Sequence, residues 1–363
     1  MKEDALPHLN LDHQRKRARA LLKRVRAHDP DALRRLHAHA RVATATASLT
    51  DAQLVVARES GFASWTKLKA HVRAECLTRP LMLAALVAAA NRACETELDR
   101  PLYRDTYARR LAGEAGLSPL SEWLRASWPG YGSGPNPYLS VLTKFFDDAL
   151  QRAVHNSDIR QLVIVSAGMD TRAFRLPWPC DLIVFEVDRP EVFEHKEPVL
   201  DQLDARAACH RHIVSADPNG SWAHALVKRG FDPKRPSAFL QERLEYFDSA
   251  SANRLLREIT TVAAAGSWLG FAAHTEETRR SELLRPFLNK LQALGLPPWQ
   301  FGLNEPEAWL APHGWEAASV IAGTPEANYG RWPLCGASRD RVGIPRALFT
   351  QAWLKEDMCH EFR

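Results

Sequence analysis

The chain lacks the features that mark membrane, secreted and metal-binding proteins. Its 363 residues contain no apolar run long enough for a membrane-spanning helix, and the apolar stretch 81–90 is far too short. The first ten residues lack the apolar core of a signal peptide. The six cysteines are scattered without a CxxC pair, so neither a disulfide framework nor a zinc site is expected. These absences predict a cytoplasmic protein with reduced thiols, no bound metal and no membrane contact.

Positive charge is concentrated near the N terminus. Residues 1–76 carry 15 Lys and Arg against 8 Asp and Glu, a net +7, whereas the remaining residues carry a net −2. Helical spacing of leucines and alanines, with capping signals at Asp29-Pro30 and at 50–53, predicts a small all-helical module over residues 1–78. Its basic runs fit a solvated helix face better than a nucleic-acid interface, so nucleic-acid binding is not expected. Protein docking or homo-oligomer formation through residues 1–78 stays open.

The most informative stretch is 161–190, with the sequence QLVIVSAGMDTRAFRLPWPCDLIVFEVDRP. Residues 162–165 form a short β-branched run that suits a buried parallel strand, and three small residues follow. A second apolar run, 182–187, ends in Asp188, where a carboxylate can accept hydrogen bonds from a ribose diol. The spacing therefore predicts a nucleotide-type cofactor at the carboxyl ends of parallel strands. An ordinary buried strand–turn–helix fits the bare spacing equally well.

The blocks SAGMDTRAFRL and FEVDRPEVFEHK resemble the signature of the leucine carboxyl methyltransferase-type family. Members are S-adenosylmethionine (SAM)-dependent O-methyltransferases, many of them from bacterial natural-product pathways. Two further blocks, RACETELDRPLYRDTYARRLAG and GFDPKRPSAFLQERLEYF, extend the resemblance, which covers residues 90–331. Residues 48–72 resemble helical modules found beside ankyrin-like repeats, which implies no chemistry.

The resemblance implies a set of cofactor-binding residues. They are Lys144, Ser166, Gly168, Arg172, Asp188, Asp217 and Glu242. Asp217 stands where the family keeps an acid near the adenine amino group, but it also suits a turn before Pro218. Glu242 follows the strand predicted at 238–241. SAM, with S-adenosylhomocysteine (SAH) as its product, is the expected cofactor.

The chain departs from the family pattern on the cofactor side. Leu142 replaces an arginine that neutralises the SAM carboxylate, which leaves Lys144 as the nearby cation. Ser166 replaces the first glycine of the motif, and Arg243 replaces another glycine. Arg243 and Glu245 add charge to the crevice and predict an unusual substrate. An ion pair on the protein surface fits the same two residues.

His274 directly follows the strand predicted at 267–273 and is the candidate general base, with His313 as the alternative. A structural histidine at the end of a strand fits the same position. A carboxylate acceptor would need no base, since it is already ionised at neutral pH, whereas a hydroxyl acceptor would need one. Trp299, Phe301 and Tyr329 fit a substrate pocket and the core equally well.

The predicted fold is a Rossmann-like α/β SAM-dependent methyltransferase domain over 79–363. It comprises a helical lid region, 79–157, with a flexible lid loop at 127–138, and a core, 158–335. The core is a seven-stranded, mostly parallel sheet with helices on both faces and a late antiparallel strand at 315–321. The predicted function is methyl transfer to a carboxylate or hydroxyl oxygen of a small molecule, in bacterial secondary metabolism. The alternatives are a non-methylating reaction such as cyclisation with retained SAM or SAH, and a non-enzymatic scaffold that uses the basic module.

Overall fold

The computed structural model describes residues 11–40, 42–77, 79–127, 134–333 and 336–355. The chain divides into two compact units, Met1–Thr78 and Arg79–Arg363. Among the described residues, no helix combines the length and the apolarity needed to cross a bilayer.

The first unit is a cluster of four helices around a small apolar core. The helices are α1 (Leu11–Arg26), α2 (Pro30–His39), α3 (Leu49–Glu59) and α4 (Trp65–Leu77). Asp29 caps α2 by accepting a hydrogen bond from the Ala32 amide at 3.0 Å, as its sequence signal predicts. The capping box of α3 is formed by Ser48 and Asp51 instead of residues 50–53. Leu21, Val25 and Val55 lie in the core of this unit.

The second unit opens with three long helices. They are α5 (Pro80–Thr96), α6 (Ala108–Ser127) and α7 (Pro137–His155). Asn136 caps α7 through the Leu139 amide at 3.1 Å, and Asn91 of α5 accepts a hydrogen bond from the Asn136 amide. The central part of the predicted lid loop, 128–133, lies outside the described residues.

A seven-stranded sheet forms the centre of this unit. Its strands are β1 (Gln161–Val165), β2 (Ile183–Asp188), β3 (His210–Ser215), β4 (Ala238–Gln241), β5 (Trp268–His274), β6 (Trp315–Ile321) and β7 (Ala347–Leu354). The spatial order is β3-β2-β1-β4-β5-β7-β6. Strands β1 to β5 pair in parallel, and β7 runs antiparallel to both β5 and β6. The fold class predicted from sequence is thereby confirmed.

The structure adds two details to the predicted sheet. The strand predicted at 315–321 is β6, which pairs in antiparallel fashion with β7 as predicted, but β6 runs in the direction of β5, so β7 is the strand reversed relative to the rest of the sheet. The sheet also extends to Leu354, beyond the predicted core of 158–335. Local sequence patterns indicate strands but not the order in which distant strands pair.

Helices cover both faces of the sheet. The shorter ones are α8 (Arg172–Arg175), α9 (Pro190–Gln202), α10 (Ala223–Lys228), α11 (Ser249–Val262), α12 (Glu276–Arg280), α13 (Arg285–Ala293) and α14 (Pro306–Leu310). Helix α11 packs Leu255 and Ile259 against one face, in a core shared with Phe239 of β4. On the other face, Phe145 of α7 lies 5.1 Å from the ring of Phe349 of β7. The carboxyl ends of β1 to β5 therefore share one edge, where parallel α/β sheets bind ligands.

Candidate active site

The main chain of the turn after β1 lies close to neighbouring elements. Ser166 and Gly168 both have positive φ angles, 55° and 47°. A Cβ on Gly168 would lie 2.9 Å from the Cβ of Ala85 in α5, so space as well as conformation requires glycine there. Ser166 is exposed and adopts a conformation that non-glycine residues adopt rarely, which is typical of ligand-binding turns.

Asp188, the last residue of β2, is tied to this turn. Its Oδ2 accepts a hydrogen bond from the Gly168 amide and its Oδ1 one from the Arg189 amide, both at 2.7 Å. Burial raises the pKa of Asp188 to about 6, although both amide hydrogen bonds oppose that rise. Each carboxylate oxygen retains a second lone pair, so Asp188 can still accept hydrogen bonds from a diol.

Arg172 lies in a buried ion-pair network beneath the turn. Its three guanidinium nitrogens contact three carboxylates: Asp147 at 2.8 Å, Glu242 at 2.6 Å, and Asp170 in a short contact. Burial alone would raise the pKa of Asp170, but the charge of Arg172 and other nearby cations lower it to about 2. Arg172 thus positions the motif, and its contact with a cofactor stays a prediction.

The other residues predicted to bind a cofactor differ in their distance from the Gly168 turn and in their present partners. Glu242 follows β4, next to Arg172, with its side chain 25% exposed. Asp217 follows β3 with an exposed side chain, and its Oδ1 accepts a hydrogen bond from the Asn219 amide at 3.1 Å, as in a turn. Lys144 pairs with Asp148 at 2.7 Å and lies over the Tyr329 ring. These contacts do not join Lys144 to the Gly168 turn.

His274 ends β5 at the same edge of the sheet. Its ring stacks on Trp299 at 4.1 Å and lies 4.9 Å from the Tyr138 ring. Within the described residues, neither ring nitrogen has a hydrogen-bond partner. Burial and the charge of Arg243 lower the pKa of His274 to about 3, although the nearby backbone of Arg346 opposes the fall, so its imidazole is neutral at pH 7.

Three further side chains from the sequence analysis lie elsewhere. His313 directly precedes β6, which runs parallel to β5, so it lies at the opposite edge of the sheet from His274. Phe301 is buried in the core around α11, while Tyr329 lies against Lys144 and Asp148. Of the three aromatic candidates, only Trp299 contacts His274 among the described residues.

Comparison with known proteins agrees with this geometry. The leucine carboxyl methyltransferase family profile matches residues 85–260. A Mycobacterium tuberculosis protein named as an S-adenosyl-L-methionine-dependent methyltransferase is 34% identical over 273 residues, which cover 70% of this chain and 86% of that protein. The chain belongs to the leucine carboxyl methyltransferase-type family of SAM-dependent methyltransferases.

Other comparisons are consistent with membership of this family. A Parafrankia protein with the same kind of name is 38% identical over 198 residues, 52% of this chain and 61% of that protein. The crystal structure of a DUF574 family protein from Streptomyces avermitilis aligns with a TM-score of 0.50 and 15% identity. That alignment covers 74% of this chain and 96% of the other, and it supports the fold alone.

The residues at this edge suit the SAM of a leucine carboxyl methyltransferase-type protein. Asp188 offers acceptors for the ribose diol beside a glycine turn that admits close approach. Exposed Asp217 offers an acceptor for the adenine amino group at the end of β3. A site made of an acid, a glycine turn and a second acid at neighbouring strand ends therefore fits the group chemically.

Arg92 of α5 is a residue of this site that sequence reasoning missed. Its guanidinium donates to Asp105 at 2.8 Å and, in a short contact, to the carbonyl of Met169 directly after Gly168. Arg92 is 8% exposed and is thus a cation held against the turn around Gly168, residues 166–169, which we call the cofactor turn. The signal was present in the block RACETELDRPLYRDTYARRLAG, which contains both Arg92 and Asp105.

Proposed function

We propose that this protein transfers the methyl group of SAM to an oxygen of a small molecule in bacterial secondary metabolism. The observation that carries the proposal is His274, a buried ring without a hydrogen-bond partner among the described residues, at the edge that also holds Asp188 and the Gly168 turn. A buried polar group is normally satisfied, so an unpartnered one at a ligand edge indicates that a substrate completes it. A small acceptor can be enclosed among such buried groups.

SAM and the protein contribute different parts of the chemistry. SAM supplies an electrophilic methyl group on its sulfonium, so the protein needs no nucleophile of its own. Asp188 and the Gly168 turn would hold the ribose, and the Arg172 network fixes that turn against α7 through Asp147. The aromatic rings around His274 exclude water from the reacting oxygen. Alignment and desolvation are thus the main contributions of the chain.

The proposal is tested by incubating the protein with methyl-labelled SAM and a panel of alcohols, phenols, carboxylic acids and amines. We expect labelled O-methyl products with at least one oxygen acceptor, identified by mass spectrometry and by their stability or lability to mild base. Asp188→Ala should abolish the labelling, whereas Glu316→Gln, at a strand position with a 74% exposed side chain, should leave it unchanged. Transfer only to nitrogen or carbon, or SAH binding without any transfer, would contradict the proposal.

A further inference from the structure

We propose that Glu245, together with Tyr138, His274 and Trp299, forms the acceptor site, that this site takes a neutral phenol, and that Glu245 accepts the phenol proton. This inference rests on the proposed function and specifies its substrate class and its base. It moves the base from His274, the candidate from sequence, to a carboxylate that the family motif leaves unassigned.

The four residues converge at the carboxyl ends of β4 and β5. Gln241 pairs with Phe271, so His274 extends beyond the end of β4, where residues 244–246 form a short 3₁₀ turn. Gln300 donates its amide hydrogen to the Glu245 carbonyl at 2.7 Å, which places Trp299 next to that turn. The Gln241 side chain also donates to Ser166 Oγ at 3.2 Å. The cluster therefore lies beside the cofactor turn.

These residues share an unusual density of unsatisfied polar atoms. Within the described residues, buried atoms without a well-formed hydrogen bond include Tyr138 Oη, Glu245 Oε2, both ring nitrogens of His274 and Trp299 Nε1. Trp299 nevertheless lies close enough to Tyr246 to oppose the rise that burial causes in the pKa of that phenol. Folded proteins leave few such atoms, and each usually has a functional explanation. The set contains both donors and acceptors between aromatic rings, which matches a planar ligand with polar substituents. A bound aromatic acceptor would satisfy the set.

The charges of the cluster select against an anionic acceptor. Arg243 is its cation, and its three guanidinium nitrogens already donate to Glu245 Oε1 at 3.2 Å, to the Ala84 carbonyl at 3.4 Å and to Tyr246 Oη. The second oxygen of Glu245 is buried without a partner among the described residues. A substrate carboxylate beside it would be repelled by Glu245, because Arg243 is already paired with that residue. A phenol hydroxyl would donate to it.

Glu245 is also better suited than His274 to take a proton. It is fully buried, and burial raises the pKa of Glu245, with Arg243 opposing the rise. Burial moves the pKa of His274 the other way, to about 3, which weakens it as a base and leaves it as a neutral hydrogen-bonding group. In the step, the phenol proton moves to Glu245 Oε2, an O–CH₃ bond forms and the S–CH₃ bond breaks. The products are the methyl ether, SAH and a protonated Glu245 that returns its proton to water.

A cavity next to Trp299 offers a route to this site. Its volume is about 250 Å³, and it is lined by Trp299 and by residues of α12 and α13 together with the segment before Trp299. The Trp299 ring that stacks on His274 thus belongs to a residue that also borders open space. A single aromatic ring fits a cavity of this size. We expect the acceptor to reach Glu245 by displacing the Trp299 ring.

The binding test uses three probes of one shape and different charge: 4-methylphenol, 4-methylbenzoate and 4-methylbenzylamine. Each is titrated calorimetrically into the SAH-loaded full-length protein. The proposal expects 4-methylphenol to bind at least about tenfold more tightly than either ion, because the benzoate has no donor for Glu245 and the ammonium would be repelled by the Arg243 guanidinium beside it. Stronger binding of the benzoate or the amine, or no binding of the phenol, would overturn it.

The turnover test compares Glu245→Gln with wild type on 4-methylphenol and on 4-nitrophenol, using methyl-labelled SAM. Glutamine keeps the shape and the hydrogen bond to Arg243 but cannot accept the proton. The proposal expects about a 100-fold or greater rate loss with 4-methylphenol and a much smaller loss with 4-nitrophenol, a far stronger acid that ionises near neutral pH without a base. Equal losses on the two phenols, or no loss, would overturn the role of Glu245.

Glu316→Gln serves as the matched control and should retain wild-type rates, since Glu316 lies on β6 with an exposed side chain. SAH titration of the wild-type protein and both variants distinguishes failure of the proposed function from failure of the inference about Glu245. Failure of SAH to bind the wild-type protein would overturn the proposed function and this inference together. Methyl transfer to 4-methylphenol at the wild-type rate in Glu245→Gln, or transfer only to carboxylates, would overturn this inference alone.

Discussion

The cofactor side and the acceptor side of one sheet edge differ in how fully their buried polar groups are paired, although Arg175 Nε and Tyr103 Oη on the cofactor side also lack a hydrogen-bond partner among the described residues. Around Arg172, three buried guanidinium contacts join Asp147, Asp170 and Glu242. Within β2, Glu186 Oε2 likewise pairs with Lys196 Nζ and with a guanidinium nitrogen of Arg211, at 2.7 Å each. Around His274, by contrast, Tyr138, Glu245 and Trp299 each present a buried atom without a hydrogen-bond partner among the described residues.

The difference indicates which groups stabilise the fold and which bind the substrate. A satisfied buried network strongly penalises the loss of any member and so holds the cofactor turn rigid. Unsatisfied groups cost stability in the free protein and are retained where a ligand completes them. The family motif therefore describes a scaffold for the cofactor, whereas the residues that choose the acceptor lie outside its most recognisable positions.

The largest expected effect comes from breaking the satisfied side. Arg172→Met would leave the buried Asp170 and the partly exposed Glu242 without their cation and Asp147 with Arg175 alone, and we expect the free energy of unfolding to fall by about 3–5 kcal/mol. Urea denaturation followed by circular dichroism measures the change. Arg189→Met is the matched control, because the exposed pair with Asp217 should contribute at most about 1 kcal/mol. A loss below about 1 kcal/mol in Arg172→Met would contradict the structural role.

The next effect concerns the protonation of Asp188. Burial raises its pKa in the folded protein to about 6, from 3.8, so the folded state holds the proton more tightly than the unfolded chain. Its contribution to folding is therefore favourable below about pH 4 and is lost as pH rises through 6. Ribose hydroxyls prefer the ionised carboxylate, so SAH affinity should fall about tenfold for each pH unit below 6. Calorimetry from about pH 5 to 8 tests this, and a flat profile in wild type with the same profile in Asp188→Asn would contradict it.

A smaller effect of opposite sign is expected on the unsatisfied side. His274→Phe removes two ring nitrogens that have no partner among the described residues and keeps the ring that stacks on Trp299. We expect the free energy of unfolding to rise by about 1 kcal/mol while methyl transfer falls. Chemical denaturation and the labelling assay, run on the same preparation, measure both. A clear destabilisation would show that the histidine ring is satisfied in the free protein.

The smallest effect is expected at Lys144, which the sequence assigned to the SAM carboxylate. Since Lys144 pairs with Asp148 on a partly exposed face of α7, we expect Lys144→Met to change SAH affinity by less than about threefold. Arg92→Met should weaken SAH more, because Arg92 contacts the Met169 carbonyl in the cofactor turn. The reverse ranking in parallel titrations would restore the assignment made from sequence.

Much of the fold could be predicted because apolar runs determine buried strands locally. The structure confirms the predicted bounds of β4, 238–241, and of β6, 315–321. The apolar pattern predicts a third strand only over 213–215, whereas β3 begins at His210, because its first residues are polar on an edge strand and do not form an apolar run. Strand β7 was not predicted, since its insertion between β5 and β6 depends on pairing between distant segments.

The site could be predicted only where the chemistry is local. The turn at Gly168 and the acid at Asp188 are close in sequence, and the structure joins them by a hydrogen bond. The partner of Arg172 in α7, Asp147, is 25 residues away, so no rule of sequence spacing reveals the ion pair between them. Whether Glu245 Oε2 and the His274 ring nitrogens lack partners depends on the packing of several elements, which sequence patterns do not report.

The most direct test of the account is calorimetric titration of SAH into wild type, Asp188→Ala and a matched control, Asp181→Ala, whose side chain is 64% exposed. The account predicts binding on the order of micromolar in wild type and in the control. It predicts a loss of at least about 100-fold in Asp188→Ala, because charged hydrogen bonds to the ribose disappear. Absence of binding to the folded wild type, or unchanged binding in Asp188→Ala, would contradict the assignment of this edge as the cofactor site.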